Sequence, residues 1–346
     1  CGTCNTVCVG KLDMAGMILK LRTKFAQEYG LNPVHKFCLD TVADRHLFHS
    51  MLRIASVAQV MITKGQPMIR HLPMFLSGLT AGRSLPSVAP QPFRDILPTI
   101  KQDVPNPKGK IAIFTGCLLD FVYVDIATDV VKALNMAGYI VEMPLGQACC
   151  GAPATYMGDV ENANKAAEMN LNAMEAEKYD YIVSACPTCT HALRDYVDFF
   201  KDDPEMLKKA EALRSKTFDF CKLVSMLGGL PDTGDGVPMK VTYHDSCHLN
   251  RYLGVTKEQR ELLKATKGVE LIEMHDCDKC CGFGGSYSVK FPEMSAPILE
   301  EKINNIVASG ADVVAVDCPG CLLQIRGGLD ARGLNNIQVK HTAQIV

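Results

Sequence analysis

The sequence contains no tryptophan and only 7% aromatic residues, which argues against a surface that stacks nucleic-acid bases or sugars. A net charge of −2, with 21% charged residues, gives no basic surface for a nucleic-acid partner. No run of about 18 apolar residues could span a bilayer, and no signal peptide is visible. No Gly-rich GxGxxG loop is present, so we expect no dinucleotide site within this chain.

Cysteine is what the sequence has in abundance. The 346 residues, 47% of them hydrophobic, are enough for two or three compact units and contain 16 cysteines. Ten of these cysteines form one pattern that occurs twice. The first copy reads Cys117, Cys149-Cys150-Gly151 and Cys186-Pro187-Thr188-Cys189, and the second reads Cys247, Cys280-Cys281-Gly282 and Cys318-Pro319-Gly320-Cys321. The spacers are 31 and 35 residues in the first copy and 32 and 36 in the second.

The residues around the cysteines repeat as well. KIAIFTGC corresponds to KVTYHDSC, YIVEMPLGQACCG to VELIEMHDCDKCCG, and DYIVSACPTC to DVVAVDCPGC. Between them lie helix-forming segments such as ATDVVKALNMAG, VENANKAAEMNLNAMEA and SAPILEEKINNIVASG. Each copy therefore predicts a parallel α/β unit in the order strand–Cys, helix, strand–CCG, helix, strand–CPxC. We place the two modules at 110–235 and 236–346, with the cysteines at the carboxyl ends of the strands, where they can converge.

Clustered cysteines in a large apolar chain favour metal ligation over a disulfide framework. Five thiolates per copy exceed the four of an ordinary cubane, which suggests an opened iron–sulfur cluster with one bridging thiolate. Gly151 and Gly282 would let the backbone approach such a cluster where a Cβ atom would collide. Two alternatives remain open: a structural zinc site, and a redox disulfide within the CPTC sequence at 186–189. Neither explains the complete set in both copies.

The first residues carry a different cysteine pattern. Cys1, Cys4 and Cys8 match the last three positions of the bacterial ferredoxin run, with Val9 where proline is usual. We therefore interpret residues 1–30 as the end of an α-helical ferredoxin-like domain whose start lies before Cys1. Cys1 and Cys4 would then hold a cubane cluster, and Cys8 would reach a second one.

Residues 31–109 join this region to the first module. Amphipathic patterns predict helices within 11–64, and eight prolines between 65 and 109 predict a linker. The apolar segment at 68–79 predicts either packing on a neighbouring domain or contact with a membrane surface or a quinone reductase.

The duplicated motif Cys-x31-Cys-Cys-Gly-x34-Cys-Pro-x-Cys resembles the CCG cysteine-rich domain. That domain occurs in heterodisulfide reductase subunits B and D and in the iron–sulfur subunits of glycolate oxidase, lactate dehydrogenase and anaerobic glycerol-3-phosphate dehydrogenase. CCGFGGSYSVKFPE, at 280–293, is especially similar to the lactate- and glycolate-oxidising members. The resemblance implies one non-cubane 4Fe–4S cluster on the five cysteines of each copy.

The resemblance also implies a function. It predicts an iron–sulfur electron-transfer subunit that passes electrons from an FAD-containing partner dehydrogenase, through cubane and non-cubane clusters, to a quinone or another carrier. We expect a hetero-oligomer in which only the partner subunit binds FAD. The complex is expected in the cytoplasm, where it can lie at the inner face of the membrane beside a quinone reductase. The alternative is a subunit that reduces a disulfide at a CCG-bound cluster, as in the heterodisulfide reductases.

Other residues near the motifs have simpler interpretations. Cys38, Cys221 and Cys277 match no spacing, and we expect them to pack as small apolar side chains. Histidines that flank ligand cysteines are expected to pack around the clusters, with tuning of potentials as the alternative; they are His191, His244 and His248. Asp245 and Asp317 precede ligands in the second copy only and predict a second cluster that is harder to reduce.

Overall fold

The computed structural model describes residues 1–60, 68–69, 85–231 and 236–346. Within them lie two sheets of four parallel strands. The first sheet contains β1 (Gly109–Ile113), β2 (Tyr139–Glu142), β3 (Tyr181–Ser184) and β4 (Thr217–Asp219). The second contains β5 (Met239–Tyr243), β6 (Val269–Leu271), β7 (Val313–Val316) and β8 (Gln338–His341). A separate two-residue antiparallel ladder joins 68–69 to 85–86.

The strand order is the same in both sheets: β2-β1-β3-β4 and β6-β5-β7-β8. The chain leaves β1 towards one edge of the sheet and leaves β3 towards the other. The carboxyl ends of β1 and β3 therefore flank a crevice, the position at which open α/β sheets gather their sites. The equivalent crevice of the second sheet lies between β5 and β7.

Helices cover these sheets and precede them. Those before the first sheet are α1 (Thr3–Val7), α2 (Met14–Tyr29), α3 (Pro33–Ala43), α4 (Arg45–Ala58) and α5 (Phe93–Ile96). Those of the first module are α6 (Leu118–Phe121), α7 (Val124–Met136), α8 (Ala152–Met157), α9 (Val160–Met174), α10 (Pro187–Asp195), α11 (Pro204–Lys216) and α12 (Phe220–Met226). Those of the second are a π-helical turn (His248–Tyr252), α13 (Glu258–Ala265), α14 (Tyr287–Lys290), α15 (Pro292–Ser309) and α16 (Pro319–Ala331).

Apolar strands explain why both faces of the sheets are covered. All four residues of β7, VVAV, are buried, and so are the last three of β1; continuous burial is typical of parallel strands with helices on each side. One cluster of buried side chains includes Ile113 and Val183 of the first sheet with Val314 and Val316 of the second. The two modules therefore share a hydrophobic core.

The N-terminal helices pack on the first module. Leu39 of α3 is buried against Ala154 and Ala163, and Asn162 donates a hydrogen bond to Asp40 at 2.7 Å. The described part of the Pro-rich segment is also packed, since Phe93 is fully buried and Arg94 pairs with the buried carboxylate of Asp120.

A buried histidine connects the two modules beside their third strands. His341 accepts a hydrogen bond from the N–H of Ala343 at Nδ1, so its proton lies on Nε2. That nitrogen donates to the carbonyls of Ala185 (3.2 Å) and Asp317 (3.0 Å), one from each module. A neutral imidazole is thus part of the inter-module contact.

We expect this contact to weaken in acid. Burial lowers the pKa of His341 below its ordinary 6.5, so the unfolded chain binds the additional proton first. The stabilisation is therefore complete above about pH 6.5 and is lost as the pH falls below that value. His341→Gln keeps a donor but does not titrate. It should flatten the pH dependence of the free energy of unfolding by up to about 1.4 kcal/mol per pH unit, measured by denaturant titration between pH 5 and 8. An unchanged slope would contradict this role.

Among the described residues, no helix is both long and apolar enough to cross a membrane.

The predicted α/β fold with two duplicated parallel units is confirmed. The fourth strand of each sheet, β4 and β8, was not predicted. Of the helices predicted within 11–64, α4 ends at Ala58, and 61–64 lie outside the described residues. Most of the apolar segment at 68–79 also lies outside the described residues. The domain limits at 1–30, 31–109, 110–235 and 236–346 stay predictions.

Candidate functional site

Every cysteine group of the repeat follows a strand and precedes a helix. Cys117 immediately precedes α6, and Cys186 immediately precedes α10, which has Pro187 at its first position. In the second module Cys247 precedes the π-helical turn and Cys318 precedes α16. Helix starts present unpaired N–H groups and a partial positive charge, which stabilise thiolates.

The glycine after each cysteine pair has a backbone that favours glycine. Gly151 has φ +77° and Gly282 has φ +84°. A Cβ atom on Gly282 would lie 2.8 Å from the carbonyl oxygen of Ser295, and one on Gly151 would lie 3.2 Å from the Cβ of Ala166. The glycines thus let the first cysteine pair lie close against α9 and the second close against α15. Their predicted contact with a cofactor stays a prediction.

The ten repeat cysteines form one continuous row of interacting side chains. We call the five of each copy the first and second cradle. In the first cradle the neighbouring thiols are Cys117–Cys149, Cys149–Cys150, Cys150–Cys189 and Cys189–Cys186. In the second they are Cys247–Cys280, Cys280–Cys281, Cys281–Cys321 and Cys321–Cys318. The two cradles meet where the thiol of Cys186 interacts with that of Cys318.

The central thiol of each cradle is the second cysteine of the pair. Hydrogen bonds from Cys149 first and Cys189 next hold the pKa of Cys150 well below its usual value. Cys280 and Cys321 have the same effect on the pKa of Cys281. Backbone N–H groups act in the same direction, that of Ala152 on Cys150 and that of Phe283 on Cys281. Both copies thus stabilise a thiolate at the equivalent position.

The donor set fits an iron–sulfur cluster in each cradle. All 16 cysteines of the chain are free thiols, and each cradle has five of them, one more than the four ligands of a tetrahedral zinc site. Soft sulfur ligands, backbone N–H donors and a close glycine are the features such clusters use. The ligand assignments of Cys117, Cys149, Cys150, Cys186 and Cys189, and of Cys247, Cys280, Cys281, Cys318 and Cys321, stay predictions.

A histidine lies against the second cradle. One ring nitrogen of His244 and the sulfurs of Cys281 and Cys321 lie within 4.8 Å of one another, and all three residues are buried. Nδ1 of His244 has no hydrogen-bond partner within the described chain. Burial lowers the pKa of His244 to about 4, so the ring is neutral at pH 7.

A second group of rings, which we call the His–Tyr cluster, lies between the modules. It consists of Tyr156, His191, His248 and Tyr252. His248 contacts the hydroxyl of Tyr156 through Nε2 (2.8 Å) and that of Thr188 through Nδ1 (3.1 Å). Tyr252 stacks on His191 with centroids 4.7 Å apart and on His248 at 5.2 Å. The sequence pointed to the histidines only; Tyr156 and Tyr252 carried no signal apart from Tyr252 lying one helical turn after His248.

The predicted N-terminal ligands lie beside this cluster. Cys1 and Cys4 are exposed and Cys8 is half-buried, and α1 runs between Cys1 and Cys8. The structure does not join their sulfurs by hydrogen bonds: Cys1 contacts Thr3 (3.4 Å) and Cys4 contacts Asn5 (3.6 Å). A Cβ atom on Gly2 would lie 3.1 Å from the Tyr252 ring. Their role as cubane ligands stays a prediction.

The remaining cysteines lie apart from the cradle row. Cys38 is exposed and Cys221 is fully buried. The Cys221 thiol donates to Asp317 at 3.2 Å. Cys277 is half-buried beside Arg260, at 3.5 Å, and burial raises its pKa to about 11.

Comparison with known proteins gives the same two modules. The family described as "Cysteine-rich domain" (CCG) matches residues 111–194 and 241–326. Lactate utilization protein A of Shouchella clausii is 38% identical over 237 residues, covering 68% of this chain and 98% of the relative. Its namesake from Bacillus subtilis is 36% identical over 238 residues, with the same coverage. About a third of this chain therefore has no counterpart in these relatives.

Among solved structures, a hypothetical protein from Helicobacter pylori superposes with a TM-score of 0.50 at 10% identity. The match covers 97% of this chain and 67% of that one. At this identity the likeness concerns the fold alone. The duplicated cradles, the two matched CCG domains and the identity to full-length relatives lead to one conclusion: this chain belongs to the lactate utilization protein A family of CCG iron–sulfur proteins.

Proposed function

We propose that this chain is the iron–sulfur electron-transfer subunit of a complex that oxidises a 2-hydroxy acid, lactate first and glycolate second. The observation that carries the proposal is the contact between Cys186 and Cys318, which joins the two cradles into one row. The name of the relatives supports lactate as the substrate. When bound, 4Fe–4S clusters would supply one-electron carriers, of the non-cubane kind in the cradles.

The chain's own contribution is to hold, orient and shield these carriers. Cys117 to Cys189 would hold one cluster, and Cys247 to Cys321 the other. Seven of the ten thiols are buried and three are half-buried, so most ligand sulfurs are kept from water and oxidants. The shared hydrophobic core fixes the modules relative to each other and hence fixes the separation of the cradles.

The N-terminal cysteines provide an entry route in this proposal. Gly2 packs on the Tyr252 ring, and Tyr252 lies on the turn that begins after Cys247. A cubane cluster on Cys1 and Cys4 would therefore adjoin the second cradle rather than the first. This order supports a relay from the N-terminal segment to the second cradle and then, through Cys318 and Cys186, to the first.

We also propose that the N-terminal helices bind the partner flavoprotein that delivers electrons. Large apolar side chains are unusually exposed there; on α2 they form a stripe at helical spacing, made by Met17, Ile18, Leu21, Phe25 and Tyr29, each 44–71% exposed. Contiguous exposed apolar surface of this kind is typical of a protein interface. Its continuity with the segment that carries Cys1, Cys4 and Cys8 supports a partner bound near the entry point.

Charged substitutions on this stripe should release the partner. Leu21→Glu combined with Phe25→Glu should lower the flavin that co-purifies with the chain at least tenfold, because two carboxylates would be buried in an apolar interface. The measurement is the ratio of flavin to iron in the purified complex. Val307→Glu is the control, since Val307 is a 44% exposed apolar residue on the second module. If the double variant retained its flavin, the stripe on α2 would not be the surface that binds the flavoprotein.

Direct disulfide reduction is a second candidate, favoured by the exposure of Cys247 and Cys280. Both are half-buried, whereas in the first cradle only Cys117 is, so a disulfide could reach the second cradle. Assays of the purified complex separate the two functions. Bleaching of the visible spectrum by lactate, with flavin present, supports the first. Rapid reoxidation by a disulfide, with no reduction by lactate or glycolate, would overturn it in favour of the second.

For the cell, we propose a cytoplasmic complex that transfers electrons to a quinone reductase at the inner face of the membrane or to another carrier.

A further inference from the structure

The two cradles differ at two buried positions that face their thiols. The helix residues closest to Gly151 are Ala163 and Ala166, and those closest to Gly282 are Ser295 and Ile298. When Ala163 and Ala166 are aligned with Ser295 and Ile298, Asn170 of α9 occupies the position equivalent to Lys302 of α15. The first copy therefore has a neutral amide where the second has a cation.

The second difference follows the first strand of each sheet. Phe114 donates its backbone N–H to Val183 at 2.8 Å, and His244 donates to Ala315 at 3.0 Å. Phe114 and His244 thus occupy equivalent positions beside the cysteine loops. The first copy has an apolar ring there, and the second has an imidazole.

Lys302 is a buried cation without an acidic partner. Its side chain is 1% exposed, and its Nζ donates to the carbonyls of Asp276 (2.6 Å) and Cys277 (3.2 Å). No carboxylate of the described residues forms an ion pair with it. Burial lowers the pKa of Lys302, and the groups that raise it are, in order, Cys281, Cys277, Asp278 and Cys321. A buried charge requires a counter-charge, and Cys281 of the second cradle has the largest attractive effect on it.

The carboxylates of the second copy do not offset this charge. Asp245 is neutralised by Arg260, whose guanidinium donates to both of its oxygens at 3.0 and 2.8 Å. Asp317 accepts from the Tyr243 hydroxyl and from Cys221, so its oxygens are directed to these two groups. Neither acid forms an ion pair with Lys302, and the expectation that they make the second cluster harder to reduce stays a prediction.

We propose that Lys302 and His244 raise the reduction potential of the cluster held by the second cradle above that of the first. This inference rests on the proposed presence of a cluster in each cradle. A fixed cation and a ring N–H beside ligand sulfurs stabilise the added negative charge of the reduced form. One electron shared by the pair then resides on the second cradle, whose cluster is reduced as the first is oxidised, so the onward step to the first cradle in the proposed relay is uphill.

The test is a redox titration of the full chain followed by electron paramagnetic resonance. Lys302→Gln keeps a donor for the two carbonyls and removes the charge. At a fixed potential it should lower the ratio of reduced to oxidised second cluster at least tenfold, a downward shift of about 59 mV for one electron. The first cluster should keep its midpoint. His244→Phe, which installs the residue of the first copy, should shift the same midpoint in the same direction.

Lys279→Gln is the matched control. It removes an equal charge directly before Cys280, but Lys279 is exposed and paired with Glu301, so solvent screens it. Its midpoint should shift much less than that of Lys302→Gln.

Each outcome decides the inference. Equal shifts in Lys302→Gln and Lys279→Gln, or none in either, would overturn it. Loss of iron from the second cradle in Lys302→Gln would give Lys302 a structural role only and would also overturn it. If the unsubstituted chain lacks two cluster signals, the failure belongs to the proposed function and not to Lys302.

Discussion

Cys281→Ala should abolish one non-cubane signal in electron paramagnetic resonance and leave the other intact, and Cys150→Ala should do the reverse. Each substitution removes the central thiolate of one cradle, which interacts with two neighbouring thiols. If these thiolates hold a cluster, the loss of one should release most of the iron of that cradle. We therefore expect the iron held by the two cradles to fall by about half, since they would hold equal clusters.

Cys150 and Cys281 are chosen because the two cradles are in contact, and a substitution at the junction could affect both clusters. Cys186 and Cys318 lie at the junction, so their substitution should disturb both signals, whereas Cys150 and Cys281 lie away from it. Cys221→Ala is the control, because Cys221 is buried yet contacts Asp317 rather than a cradle thiol. Simultaneous loss of both signals in Cys281→Ala would show that the cradles do not assemble as separate sites.

Gly282→Ala should have the second large effect. The left-handed backbone at φ +84° costs a residue with a Cβ roughly 1–2 kcal/mol. The Cβ would also lie 2.8 Å from the backbone oxygen of Ser295, which α15 cannot move easily. Overpacking of this kind adds about 1–3 kcal/mol. We expect a lower free energy of unfolding and loss of the second cluster signal, measured on the same preparation.

Substitutions of two other glycines separate the cost of the left-handed backbone from the cost of the steric clash. Gly285→Ala meets the same backbone restriction at φ +60° but no atom within 4 Å, so it should keep the cluster signal. Gly151→Ala would place its Cβ against a side-chain atom at 3.2 Å and should be milder than Gly282→Ala. If Gly282→Ala and Gly285→Ala behaved alike, close packing of the cysteine pair against α15 would not be what requires the glycine.

Much of this fold could be predicted because the cysteines mark strand ends. The apolar segments before Cys117, Cys186 and Cys318 are short, β-branched and followed by a helix start, a pattern that predicts parallel strands. The edge strands β4 and β8 lack such a marker: TFD and QVKH are short and partly polar. They form because each lies next to a buried neighbour, a tertiary effect that local sequence does not express.

The site was predictable in its residue types but not in its connections. Spacing indicated that five cysteines of one copy converge, yet nothing in the spacing placed Cys186 against Cys318. That contact depends on how the modules pack, through the shared core and through His341. Lys302 likewise belongs to an ordinary amphipathic helix in sequence, and only packing reveals that its charge is buried beside the second cradle.

Iron and acid-labile sulfide analysis of the chain with Cys1, Cys4 and Cys8 replaced by Ser tests the central claim most directly. These substitutions remove the N-terminal ligands, so the metal that remains belongs to the two cradles. We predict about eight irons and eight sulfides per chain, four of each per cradle. Zinc without sulfide, or a chain free of metal with cradle disulfides, would contradict the account.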